Sequence, residues 1–148
     1  MRRTSLADFH CSVARTIDVV GEWWTPLIVR DAFFGLRRFE EFQRRLGLAR
    51  NILAARLDRL VEAGIMERQR YQDHPPREEY VLTEKGRDLF PVIAALMAWG
   101  DRWTDDGAGP PLLLMHECGH AATLQATCNQ CGEPMSLTNI QPVPGPGA

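Results

Sequence analysis

The sequence predicts a mainly α fold with one small β-hairpin, an α+β class. Three observations carry this. Between Ser12 and Leu60 apolar residues recur at helical steps, with Gly21, Gly35, Gly47 and Gly64 as punctuation. After Gly64 two short strand-like stretches flank Asp73-His74-Pro75-Pro76-Arg77, a run of turn formers. From Thr83 a long apolar helical pattern resumes and reaches Trp103.

Residues 1–9 read as a polar, frayed start. The first helix follows from Val13, Ile17 and Val20, spanning Ser12 to Val20 up to Gly21. Trp23 and Trp24 open the second, Pro26 is tolerated in its first turn, and Gly35 stops it. The third, Arg38 to Leu46, has Phe39, Phe42 and Leu46 on one side. Gly47-Leu48-Ala49 is a short turn. The fourth runs from Arg50 to its capping Gly64, with Leu53, Leu57, Leu60 and Val61 as its apolar stripe. Asn51, Ala55, Arg59 and Glu62 lie opposite, with Arg56 at the edge. Ile65–Tyr71 and Glu79–Leu82 are the two strands. Thr83 is an N-cap for one long helix to Trp103, kinked at Pro91.

Composition bounds the rest. No stretch has the ~18 apolar residues of a membrane span, nor does the N-terminus read as a signal peptide, so a cytoplasmic protein without a membrane partner is expected. All 17 basic residues lie in 1–104, and 16 of them are Arg. From Arg37 to Arg77 ten Arg face six acids, a local excess of +4 inside a chain of net charge −2. That is a basic middle in an acidic protein, suited to an anionic partner. There is no Gly-rich phosphate loop, no nucleophile elbow and no loop-borne carboxylate pair, so no enzyme is expected. The expected organisation is one domain over 8–104, a linker at 105–111, a small Cys/His module at 112–140 and a disordered tail at 141–148.

Two short helices joined by a Gly-containing turn match the helix-turn-helix, whose second helix enters the major groove. A hairpin directly after it is a wing. The expected fold is a winged helix-turn-helix. Arg50, Asn51 and Ala55 are the candidates nearest the bases, since Arg pairs with guanine and Asn with adenine. Arg56 and Arg59 flank them, and Arg70, His74 and Arg77 are the wing candidates. A solvated helix face and a solvated loop histidine are the bland alternatives. Trp23, Trp24 and Phe33, with Leu96, Trp99 and Trp103 on the last helix, are candidates for a dimer seam or a cleft for a small aromatic ligand. Dimerisation is expected through the N-terminal helices and the long C-terminal helix.

Cys128-x-x-Cys131-Gly is a metal half-site, and Cys118-Gly resembles the closing end of another. His116, ranked above His120 as the fourth ligand, completes a set suited to structural, tetrahedral Zn²⁺. A Cys128–Cys131 redox pair and unliganded thiols are the alternatives.

Taken together, Cys11-Ser12-Val13-Ala14-Arg15, Gly21-Glu22-Trp23-Trp24-Thr25-Pro26-Leu27, Arg38-Phe39-Glu40-Glu41-Phe42, Leu53-Ala54-Ala55-Arg56-Leu57, Pro75-Pro76-Arg77-Glu78-Glu79-Tyr80 and Trp99-Gly100-Asp101-Arg102-Trp103 have a recognisable order. The chain resembles the HxlR-type branch of the MarR-like winged-helix regulators over roughly residues 8–104. The resemblance implies a homodimeric transcription regulator on a pseudo-palindromic double-stranded operator, and a repressor is expected. It also implies a response to an electrophile, an oxidant or a small metabolite, and a redox sensor at the position of Cys11. The alternative for Cys11 is a small buried hydrophobe. Ser12, Glu22-Trp23 and Ala49 depart from the family pattern, and Ala49 predicts a weaker cap on the fourth helix. The rival function is a winged-helix and zinc-ribbon interaction module in a transcription assembly, without sequence-specific DNA contact.

Overall fold

The computed structural model describes residues 5, 6 and 8–147. Part of the polar start at 1–9 and the last residue of the tail lie outside them. The chain divides into two compact units, Met1–Ile93 and Ala94–Ala148.

The first unit is built on four helices: α1 (Ser12–Val20), α2 (Thr25–Phe33), α3 (Phe39–Leu46) and α4 (Arg50–Glu62). An antiparallel hairpin follows, β1 (Met66–Gln72) and β2 (Arg77–Leu82), then one turn of helix, α5 (Glu84–Arg87). Helix α6 (Phe90–Trp103) runs across the division. The core draws Ile28 and Val29 from α2, Phe42 from α3, Leu53, Leu57 and Leu60 from α4, and Ile65 and Met66 from the entry to the hairpin. Each such side chain contributes about 1.5–3 kcal/mol by leaving water. The same burial fixes which side of α4 remains outside.

The ends of the helices are set by local chemistry. Helix α3 starts where Glu41 reaches back: its Oε2 accepts from the Arg38 amide at 2.9 Å and from the Arg37 amide at 3.0 Å. Those two backbone bonds hold the Glu41 carboxyl below the ordinary carboxylate value. A depressed carboxyl stabilises the fold fully above its ordinary range and loses that contribution as pH falls through the lowered value. Glu41→Ala should therefore cost about 0.5–1 kcal/mol near neutral pH, the lower part of the capping range because solvent screens the group. Urea unfolding at neutral and acidic pH checks this: the gap between wild type and variant should narrow in acid.

Gly47 closes α3 in the left-handed region, at φ 65°. Helix α4 then begins at Ala49 with no side-chain cap bond, as the departure at that position predicts. At its other end the Gly64 amide donates to the Val61 carbonyl and the Ile65 amide to the Leu60 carbonyl. This paired arrangement needs Gly64 at φ 71°.

The region after Thr83 corrects the expected single helix. Thr83 does act as a cap, its Oγ1 accepting from the Gly86 amide at 3.1 Å, but that helix ends at Arg87. A new one starts at Phe90, so Pro91 falls in a first turn. There its missing N–H has no intrahelical partner to lose, and it starts a helix instead of kinking one. Trp24 likewise precedes α2 as its N-cap and is not part of the helix.

In the second unit, β3 (Leu114–Met115) pairs with β4 (Ala121–Ala122). A second turn is framed by a bridge between Thr127 and Pro134. The expected linker is an ordered turn: Asp105 Oδ1 accepts from the Gly107 and Gly109 amides, both at 3.1 Å. Residues 141–147 are exposed and carry no regular element.

Candidate nucleic-acid interface

Helices α3 and α4 and the β1–β2 hairpin arrange most of the basic candidates. Leu53, Leu57 and Leu60 are buried on one side of α4. Arg50, Asn51 and Ala55 are therefore exposed on its opening turns. The Arg50 guanidinium sits 4.7 Å from the centre of the Phe39 ring, a cation–π contact that limits its rotamers.

The two flanking arginines are engaged elsewhere. Arg56 forms an ion pair with Glu22, and the Arg59 Nη2 donates to the Asp18 carbonyl at 3.2 Å. Both contacts tie α4 to α1 and the loop after it. The other end of α4 is held as well. The Lys85 Nζ donates to the Ala63 carbonyl at 2.7 Å, and the Thr83 hydroxyl to the Gly64 carbonyl at 2.6 Å. Helix α4 is thus fixed along its length, which a base-reading element requires.

The hairpin pairs Met66 with Leu82 through to Arg70 with Glu78, then shifts register before Gln72 meets Arg77. Its tip is braced where Gln72 Nε2 donates to the His74 and Pro75 carbonyls, each at 3.2 Å. His74 and Arg77 are exposed there. Arg70 lies 3.9 Å from Asp73.

Sequence reading missed Arg38 and Arg44. With Arg77, Tyr71 and Glu78 they line a groove of about 610 Å³ between the start of α3 and the hairpin. The Arg38 guanidinium stacks on the Tyr71 ring at 4.5 Å. The Arg37-Arg38 doublet at a helix start was the available signal, but nothing in the pattern brings Tyr71 across to it.

The remaining candidates lie on elements other than α3, α4 and the β1–β2 hairpin. Cys11 is exposed at the start of α1, and Arg15, one helical turn on, donates to Ser12 Oγ at 3.2 Å. Of the adjacent tryptophans, Trp24 packs on the core whereas Trp23 is 90% exposed. Phe33 meets Phe90 edge-on, with ring centres 5.6 Å apart. On α6, Leu96, Trp99 and Trp103 are 57%, 62% and 63% exposed.

In the second unit the His116 Nδ1 accepts from the Cys118 amide at 3.2 Å. Cys118 Sγ lies 3.8 Å from His120 Nδ1. Backbone amides of Cys131 and Gln130, then the Cys131 thiol, lower the Cys128 thiol below its ordinary value. Among the described residues no three Cys, His, Asp or Glu converge on one point.

A helix pair with a three-residue turn, an exposed second helix and a hairpin directly after it define a winged helix-turn-helix protein. Residues 19–108 match the HxlR-like helix-turn-helix family, and the chain belongs to that family. It is a DNA-binding transcriptional regulator of MarR-like fold, not an enzyme.

The chain is similar to an HTH-type transcriptional regulator, Rv3095, of Mycobacterium tuberculosis strain H37Rv, with 49% identity over 137 residues, 92% of this chain and 87% of the relative. A Bacillus subtilis HTH-type regulator, YdeP, is 35% identical over 100 residues, 66% of this chain and 78% of its own length. The crystal structure of PA1607, described as a transcription factor, has a TM-score of 0.86 at 42% identity, covering 95% of this chain and 99% of that one. The reduced form of the redox regulator HypR has a TM-score of 0.60 at 34% identity, covering 64% and 95%. Among the described residues no helix is long and apolar enough to cross a membrane.

Proposed function

We propose that this regulator acts as a homodimeric repressor on a pseudo-palindromic operator, reading bases with Arg50, Asn51 and Ala55. The observation that supports this most is the anchoring of α4. Its buried leucines, the Arg56–Glu22 pair and the Lys85 contact hold it while its opening turns stay exposed. Arg56 and Arg59 serve chiefly to position this helix. Arg38, Arg44 and Arg77 meet the phosphates beside it, with Arg70 and His74 on the hairpin as further backbone contacts.

A second copy covers the apolar side chains left outside. Leu96, Trp99 and Trp103 follow helical spacing along α6, and Trp is costly to leave in water. The regulator also responds to a small-molecule or electrophile effector. The redox regulator similar to this chain and the exposure of Cys11 support it.

A mobility shift with DNA from upstream of the gene, in competition with unrelated duplex, tests the reading. Retention of the upstream complex under competition is expected. Equal displacement by both duplexes would favour the interaction module without sequence-specific contact. Arg77→Ala should weaken binding to every duplex alike and reduce the steepness of the salt dependence by about one phosphate contact. A salt titration by fluorescence anisotropy reads both effects.

A further inference from the structure

The second unit lacks what usually holds so small a segment together. From Pro110 to Asn139 every side chain is exposed except those of Leu114 and Cys128, which are half-buried. Yet the chain there forms two well-closed turns of similar build. In the first, the Gly119 amide donates to the His116 carbonyl and the His116 amide to the His120 carbonyl, both at 2.9 Å. In the second, the Gly132 amide donates to the Cys128 carbonyl and the Cys128 amide to the Glu133 carbonyl, both at 2.8 Å. In each, a glycine at positive φ, 85° for Gly119 and 77° for Gly132, directly follows a cysteine. Segments this small and coreless are commonly held by a metal or by disulfides.

We infer that these two turns are the halves of one structural zinc-class site, with Cys118 and His120 from the first and Cys128 and Cys131 from the second. The Cys118 Sγ to His120 Nδ1 distance of 3.8 Å is close to the ligand–ligand edge of a tetrahedral ion. That edge is about 3.5 Å for metal–sulfur and metal–nitrogen bonds of ~2.3 and ~2.0 Å. His116 has another task, because its Nδ1 accepts the Cys118 amide and so braces the turn. This reverses the order in which the spacing ranked the two histidines.

Three thiolates and an imidazole select a borderline-soft ion of zinc type over calcium or magnesium. With four protein ligands the site is closed, so the ion is structural and not catalytic. Among the described residues no three of these groups meet in one cluster, so the proposed ion has to draw the two turns together and its binding is coupled to closure of the segment.

Reduced full-length protein purified without chelator tests this by elemental analysis, and a titration of metal-free protein with Co²⁺ tests it independently. One zinc per chain is expected, with thiolate-to-cobalt charge-transfer absorption and tetrahedral d–d bands. Cys118→Ser, His120→Ala and Cys131→Ser should each weaken the ion by at least about tenfold, while His116→Ala retains it. Reduced wild-type protein with neither stoichiometric metal nor a cobalt spectrum overturns the site. A Cys128–Cys131 disulfide that re-forms in air with excess zinc present does so as well. Unweakened binding in His120→Ala overturns the ligand set.

Discussion

Asn51→Ala is expected to weaken operator binding by about 1–3 kcal/mol, or about 5- to 150-fold, with little change on a scrambled duplex. The position dictates this. Asn51 is exposed in the first turn of a helix whose opposite side is sealed by Leu53, Leu57 and Leu60. Removing its amide takes nothing from the core, so the thermal midpoint should stay put. Arg50→Ala belongs to the same test, with a loss of similar size, because Phe39 confines its guanidinium near the start of the helix. Anisotropy titrations on both duplexes separate the possibilities. An equal loss on operator and scrambled DNA would mean that these side chains meet phosphates and read no bases.

Gly86→Ala is expected to destabilise the first unit by about 3 kcal/mol, the upper end for overpacking. A Cβ at Gly86 would stand 2.1 Å from the Ile65 carbonyl oxygen and 3.0 Å from Leu82 Cδ2. The first neighbour is backbone and cannot rotate away. The same carbonyl accepts the Thr83 amide at 3.0 Å, so moving it disturbs the joint of α4, the hairpin and α5. Urea denaturation should show an earlier midpoint, and operator affinity should fall only where folding does. An unchanged midpoint would contradict the close packing at this joint.

Much of the first unit is legible in the sequence because one cause sets it. The leucine stripe of α4 is at once its helix signal, its burial and the reason Asn51 and Ala55 face out. The hairpin is equally readable from Asp73 to Arg77, since turn formers act locally. What is missed depends on contacts between distant residues. Gly86 reads as an ordinary helix position until the Ile65 carbonyl is placed against it. Arg56 reads as a flanking DNA contact at the edge of the outer face until Glu22, far away in sequence, pairs with it. Pro91 reads as a kink because the pattern does not reveal that a helix has just ended. In the second unit the cysteine spacing marks the turns, but choosing between His116 and His120 needs the distances.

Footprinting of the wild-type protein on its own upstream DNA tests the central claim most directly. Two exposed α4 helices in a symmetric dimer should protect two half-sites related by a dyad and centred about 10–10.5 base pairs apart or a multiple of that, with Asn51→Ala losing both together. Uniform protection that follows no sequence, or none at concentrations that coat unrelated DNA, would contradict it.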